Sequence, residues 1–143
     1  MRLWRFIFVL LTIFVLGNSC ENGSQRDMLQ RLTALDAAID LAPGRVSDSL
    51  KSLSYNSLSR SNRAYYNLLK VISDDKTYVN FTSDSLINTV SEYYRLHDRK
   101  NRNYIRSLAY QGIVRTRMGI KDSTVFEPLK EADRLFQSME LPD

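Results

Sequence analysis

The chain has 143 residues, a formal net charge of +4, one cysteine and one histidine. One cysteine cannot form an internal disulfide or a cysteine metal cluster, and one histidine excludes a two-histidine metal site within the chain. Charges of opposite sign are interspersed, which argues against a nucleic-acid-binding chain. The sequence contains no catalytic motif and no glycine-rich phosphate loop. It therefore predicts a protein without enzymatic activity, cofactor or bound metal.

The N-terminus has the three-part layout of a secretory signal. The positively charged start Met1–Arg5 is followed by the apolar run Phe6–Leu16 and then by small or polar residues up to Cys20. An apolar run of this length spans about 16 Å as a helix, which is about half of a bilayer core. We therefore expect a cleaved signal over residues 1–19, and an uncleaved membrane anchor is the alternative.

The position of Cys20 gives this signal a more specific meaning. The segment resembles a bacterial lipoprotein signal, in which a cysteine that follows small residues is acylated and becomes the first residue of the mature chain. Ser19 fits the position before the cysteine, and Leu16 lies one place upstream of the usual aliphatic residue. The resemblance implies that Cys20 is lipidated and that residues 20–25 form a polar tether. Ordinary secretion with cleavage after Ser19 is the other interpretation.

The mature chain carries apolar residues at helical spacing in six segments. We predict the helices Arg26–Leu41, Val46–Ser54, Arg60–Ser73 and Asp84–His97, and two further helices within Asn101–Phe136 on either side of a break at Met118–Asp122. Asp74–Ser83 is predicted as a loop, of which Tyr78–Phe81 is apolar enough to pack back onto the helices. Because no segment alternates with period two for long, the predicted class is all-α.

A short sequence repeat indicates how these helices are arranged. Ser47–Leu50 recurs as Ser83–Leu86, 36 positions later, and Asp122-Ser123 begins a third copy. In each copy the motif opens the second helix of a predicted hairpin. A period of this length is typical of helical solenoids, because one hairpin cannot bury its apolar faces alone. We predict about three stacked hairpins over residues 26–138 and a C-terminal tail of residues 139–143.

This layout resembles the tetratricopeptide-repeat family, and more narrowly its exported members in the envelope of Gram-negative bacteria. Gly112 and Gly119 match the glycines of the first helix and of the hairpin turn, and Ala132 matches the small residue late in the second helix. Gln111 and Arg115 depart from the family pattern. The resemblance implies a right-handed α-solenoid that binds a protein or peptide partner.

In this family the first helices of the hairpins line a concave binding face. The resemblance therefore places candidate partner contacts on the third and fifth helices, and these are Tyr66, Asn67, Lys70, Arg106 and Arg117. Aromatic, amide and cationic groups of this kind suit an extended peptide. We expect a peptide-binding lipoprotein of the bacterial cell envelope that faces the periplasm or the exterior.

The alternative is the periplasmic sensor portion of a longer repeat-containing transcriptional regulator. The sequence ends at Leu141-Pro142-Asp143 without a distinct polar capping helix. Because solenoids normally cover their last hairpin with such a cap, this end would expose apolar surface. The sequence therefore also predicts a homo-oligomer formed through the C-terminal repeat.

Overall fold

The computed structural model describes residues 23–140. The predicted signal of residues 1–19, the lipidation site Cys20 and residues 141–143 lie outside this range. The helices are α1 (residues 23–38), α2 (Pro43–Lys51), α3 (Arg60–Lys76), α4 (Ser85–His97), α5 (Arg102–Arg117) and α6 (Phe126–Glu140). Short 3-10 turns lie at Tyr55–Ser57 and Ser123–Val125. Because the described residues contain no strand, the prediction of an all-α chain is confirmed for them.

The helix bounds differ from the predictions at a few ends. Residues 23–25, expected as part of the tether, are helical, and α1 ends at residue 38 rather than at Leu41. Helix α3 continues three residues beyond Ser73, where Lys70 and Asp74 form an ion pair one turn apart. Pro128 lies in the first turn of α6, where a missing N–H breaks no helical hydrogen bond.

The core is built around α3. Consecutive helices from α2 to α6 pack against each other, and α3 also contacts α5. Leu68, Leu69 and Ile72 of α3 are fully buried, together with Leu32 of α1 and Ile87 of α4. Burying these side chains is the main favourable contribution to folding. Within residues 23–140, no helix is both long enough and apolar enough to cross a membrane.

A half-buried polar cluster ties three helices together. Arg106 of α5 donates two hydrogen bonds of 2.7 Å to the two carboxylate oxygens of Asp36 of α1. The hydroxyl of Tyr65 on α3 donates to Asp36 Oδ2 at 2.7 Å. Burial opposes ionisation of Asp36, but the hydrogen bonds from Arg106 and Tyr65 outweigh it and hold the pKa of Asp36 below its ordinary value. The cluster joins the first helix to the two central ones.

Two glycines, one within α5 and one just after it, have structural reasons to be glycine. A Cβ on Gly112 would lie 2.5 Å from Leu129 Cγ and 2.9 Å from the Val125 carbonyl oxygen, so its absence lets α6 approach α5. Gly119 ends α5 with a φ of +79°, and the Ile120 N–H donates to the Arg115 carbonyl at 3.1 Å. This pattern is a Schellman motif, in which a helix ends at a residue with left-handed backbone, usually glycine.

Candidate functional site

The end of α3 has the same Schellman geometry as the end of α5, but a tyrosine takes the place of glycine. The Tyr78 N–H donates to the Asp75 carbonyl at 3.1 Å, and the Val79 N–H donates to the Asp74 carbonyl at 2.9 Å. Tyr78 has a φ of +60°, a left-handed conformation that L residues other than glycine rarely adopt. Its side chain is 83% exposed. A large aromatic ring therefore projects from a rigid turn.

Arg117 of α5 holds this turn from the neighbouring hairpin. Its Nη1 donates to Asp75 Oδ1 at 2.8 Å, and its Nη2 donates to the Val79 carbonyl at 3.3 Å. The guanidinium lies 5.8 Å from the ring centres of both Tyr78 and Phe81, within the range of cation–π attraction. The arginine fixes the turn and supports both aromatic rings.

A cleft of about 220 Å³ opens beside this turn, between the ends of α3 and α5 and the start of α4. Its apolar lining is Val71, Val79, Phe81, Leu86, Ile87 and Val114. Its polar lining is Asp74, Asn80, Thr82, Ser83 and Ser85. An apolar floor with hydroxyl and amide groups around it is typical of a site for one side chain of a partner polypeptide.

The charges around the cleft are paired. Lys70 Nζ lies 2.6 Å from Asp74 Oδ2, and Arg115 Nε donates to Asp84 Oδ2 at 2.8 Å. The hydrogen bond from Arg115 is the main reason why the pKa of Asp84 lies below its ordinary value. Because each cation near the cleft has an acidic partner, the site offers shape, apolar surface and hydrogen bonds rather than net charge.

The structure brings two of the five predicted contact residues together. Lys70 and Arg117 bind the adjacent carboxylates Asp74 and Asp75 beside the cleft. The other three side chains lie elsewhere.

Tyr66 and Asn67 are buried near the middle of α3, and Asn67 Nδ2 donates to the Tyr55 hydroxyl at 3.1 Å. Arg106 is engaged by Asp36. Their predicted role in partner binding stays a prediction, but the contacts within the chain leave little of Tyr66 and Asn67 exposed.

Sequence reasoning placed Tyr78–Phe81 against the helices, and this holds only for Phe81. Phe81 is half-buried, whereas Tyr78 and Val79 are exposed, at 83% and 45%. The left-handed conformation at Tyr78 turns the chain sharply after α3, and the ring stays outside the packed helices. In the sequence, the signal for this exposed aromatic side chain is a short apolar run directly after a helix end.

Comparisons with known proteins add no assignment. No protein family, curated protein or solved structure matches this chain.

Within residues 23–140, no group of three or more His, Cys, Asp or Glu side chains could hold a metal ion. His97 stacks on Tyr93, with ring centres 4.3 Å apart, and its Nδ1 lies 2.7 Å from the Tyr93 carbonyl oxygen.

Proposed function

We propose that this chain is a non-enzymatic, membrane-tethered helical-repeat protein that binds a polypeptide partner through the cleft beside Tyr78. The observation that carries the proposal is Tyr78, whose exposed ring extends from a left-handed backbone next to a cleft with apolar and polar lining. The energy of protein interfaces is concentrated in a few aromatic and arginine side chains, and here Tyr78 and Arg117 lie in contact.

The strained backbone at Tyr78 supports a role in binding. A left-handed conformation costs an ordinary L residue about 1–2 kcal/mol, and glycine would avoid this cost, as it does at Gly119. Strain of this kind concentrates at binding and switch sites. The Schellman hydrogen bonds and the contacts of Arg117 already order the turn, so a partner would lose little free energy by immobilising it.

The tetratricopeptide-like solenoid belongs to the proposal as well. Several features support it: consecutive helices from α2 to α6 pack on each other, α3 contacts α5, and Arg106 joins α5 to Asp36 of α1. The close approach of α6 at Gly112 is the packing that the family's small residues allow. In this arrangement α1, α3 and α5 are the first helices of three hairpins.

The envelope location is supported by the sequence pattern up to Cys20. Its test is the mass and membrane partitioning of the full chain from a bacterial host, beside Cys20→Ala. We expect the wild type to carry a diacylglyceryl group and to float with membranes, and the variant to lack both properties. If both proteins are unmodified and soluble, the proposed anchor is wrong.

Peptide binding can be tested without knowing the partner. A random-peptide phage library would be selected against the full chain purified in detergent, and enriched peptides would be measured by fluorescence polarisation. We expect Tyr78→Ala to weaken these peptides by at least about tenfold, because the ring would be an anchor of the interface.

Tyr55→Ala is the matched control, because Tyr55 is a partly exposed tyrosine near the opposite end of α3. It should change the affinities by less than about twofold, within the range of contacts outside a hot spot. Thermal unfolding of both variants checks that they fold. Failure to enrich any peptide, or equal losses in both variants, would contradict the proposed site.

The sensor portion of a longer transcriptional regulator is a second candidate, favoured by the outer surface of α6. Phe126, Phe136 and Met139 are 55%, 50% and 51% exposed there. A further repeat or a second copy of the chain would cover these side chains. Light scattering at about 100 μM tests self-association, since micromolar affinity is typical of weak contacts. A monomer would count against the C-terminal homo-oligomer.

A further inference from the structure

Three segments that are distant in sequence meet at the end of the molecule away from the cleft. Gln25 of α1 reaches the turn between α2 and α3, where its Nε2 donates to the Ser57 carbonyl at 2.9 Å. The Ser59 N–H donates to Gln25 Oε1 at 2.8 Å, and Asn62 Nδ2 donates to the Gln25 carbonyl at 2.9 Å. These bonds fix the start of α1 against that turn.

The turn between α4 and α5 lies at the same end. A cleft of about 260 Å³ is lined by Leu29 of α1, Ser61 of α3, His97 of α4 and Asn101 before α5. Helix α3 is about 24 Å long, so this end and the cleft beside Tyr78 lie on opposite sides of the molecule. We call residues 23–27, 52–63 and 92–103 the basic end.

The basic end carries a strong excess of positive charge. It contains seven Lys and Arg residues and three Asp and Glu residues, a net charge of +4. The other described residues carry eleven positive and eleven negative side chains, a net charge of zero. The cations are Arg26, Arg60, Arg63, Arg95, Arg99, Lys100 and Arg102. The excess positive charge of the described residues therefore lies at this one end, which includes Gly23, the first described residue after Cys20 in the sequence.

Two of these arginines line a cleft and have no acidic partner among the described residues. Arg60 and Arg63 border a cleft of about 190 Å³ together with Tyr55 and Tyr93. Arg63 Nη2 donates to the Asn56 carbonyl at 2.8 Å, and its guanidinium lies 5.5 Å from the Tyr55 ring centre. Its Nε is buried and has no acceptor within the described residues. The buried Nε cannot be reached from solvent, so an anion would bind at Nη1, for which no hydrogen bond is found within the described residues.

We infer that the basic end lies against an anionic phospholipid surface, with a lipid phosphate at Arg60 and Arg63. The inference rests on the proposed anchor at Cys20, since the three residues from Cys20 to Gly23 span at most about 10 Å. This distance is about one Debye length at physiological salt, so an anionic bilayer attracts these charges. Tyr55 and Tyr93 are amphipathic side chains of the kind that membrane interfaces favour.

The test uses the acylated full chain reconstituted in vesicles of phosphatidylcholine, with or without phosphatidylglycerol. Because the acyl anchor holds the protein in both, the readout is covalent labelling of arginine by phenylglyoxal, located by mass spectrometry. We expect Arg26, Arg60 and Arg102 to be labelled at least about fivefold less in the anionic vesicles. Arg45, at the opposite end, should be labelled equally in both.

Salt and charge variants sharpen the result. Raising sodium chloride from about 50 to about 500 mM should remove the protection, because screening shortens the electrostatic range. Arg60→Gln with Arg63→Gln should reduce protection of Arg26 and Arg102. Arg45→Gln with Lys121→Gln removes the same charge from the opposite end and should leave protection unchanged.

Other outcomes would overturn the inference. If the chain is acylated and vesicle-bound but anionic vesicles protect the arginines of both ends equally, the anchor is supported and the orientation is refuted. A chain that is neither acylated nor vesicle-bound would instead refute the proposed anchor. A free polyglutamate peptide can also be added to the chain in phosphatidylcholine vesicles. If the peptide protects the same arginines as strongly as phosphatidylglycerol does, the basic end is a binding site for an acidic polypeptide instead.

Discussion

The helix pairs α3–α4 and α5–α6 share the backbone geometry at the end of their first helix, but they differ at two positions that shape the space around it. Both first helices end in a Schellman motif, with Tyr78 at the left-handed position of one and Gly119 at that of the other. Seven residues before that position, α3 carries Val71 and α5 carries Gly112. The first hairpin has a cleft lined by Val71, whereas in the second the side chain of Leu129 occupies the space above Gly112.

This difference shows how two side chains change the space beside a helix end. Glycine at both positions gives close helix packing and an unstrained turn, and such a hairpin is suited to stability. Valine and tyrosine at the same positions are found beside an open cleft and an exposed ring. The candidate site therefore lies at the helix end that lacks these two glycines. Variants that exchange the residues of the two helix ends should also exchange their stability and exposure.

The largest effect on stability is expected from Gly112→Val. This variant places a valine in α5 at the position that corresponds to Val71 of α3. The new side chain would overlap Leu129 and the Val125 carbonyl, and overpacking of this kind should lower the free energy of unfolding by about 3 kcal/mol. Urea unfolding followed by circular dichroism measures it. Gly44→Val is the control, because nothing lies within 4 Å of a Cβ at Gly44. Equal losses in the two variants would refute the packing argument.

The next effect concerns Asp36, which binds the first helices of both hairpins. Asp36→Asn leaves the half-buried Arg106 without its charge partner and should cost about 2 kcal/mol. The exposed Asp48→Asn should cost less than about 0.5 kcal/mol. Urea midpoints of the two variants at neutral pH provide the comparison, and a loss confined to Asp48→Asn would contradict the cluster's role.

Asp36 also predicts a pH dependence. Because its folded pKa lies below the ordinary value of 3.8, its carboxylate stabilises the fold fully above that value. The contribution is lost as the pH falls through the folded pKa. Wild type should therefore lose more stability than Asp36→Asn when the pH is lowered through this range. Parallel slopes of unfolding free energy against pH would show that Asp36 is not responsible.

Gly119→Ala should lower the stability by a smaller amount, because the substitution adds backbone strain but no steric overlap. Nothing lies within 4 Å of an added Cβ, but the φ of +79° should cost alanine about 1 kcal/mol. Thermal unfolding measures the change. An unchanged melting temperature would mean that the end of α5 relaxes to another turn.

Tyr78→Gly should have the smallest effect on stability, and in the opposite direction. It removes the left-handed strain but adds backbone freedom to the unfolded chain, so a gain of about 0.5 kcal/mol is expected. The same variant should lose peptide binding at the cleft. A variant that is more stable and binds less would show that the strain at Tyr78 is retained for function. Unchanged binding would show that the strain at Tyr78 and the binding of a peptide are unrelated.

Local features of the fold were accessible from the sequence. Gly119 was predicted to end a helix, because glycine tolerates the left-handed conformation that a Schellman motif needs. The end of α3 was placed too early, since no glycine marks it and a tyrosine occupies the left-handed position.

The partners of Arg106 and Arg117 could not be predicted, because they depend on tertiary structure. Arg106 binds a carboxylate 70 positions away, and Arg117 binds one 42 positions away. No periodicity along the chain identifies which of 16 acidic residues each arginine meets. Both were expected on a binding face, and only Arg117 lies beside the candidate cleft.

The contact between Asp36 and Arg106 also bears on how the chain folds. An array of hairpins in which each unit touches only its neighbours can form or fray one unit at a time. A bond across 70 positions closes late, because its loop must be ordered first, but once formed it couples the first helix to the fifth. We therefore expect α1, α3 and α5 to open together in hydrogen exchange, as one cooperative unit, while the outer helix α6 exchanges earlier.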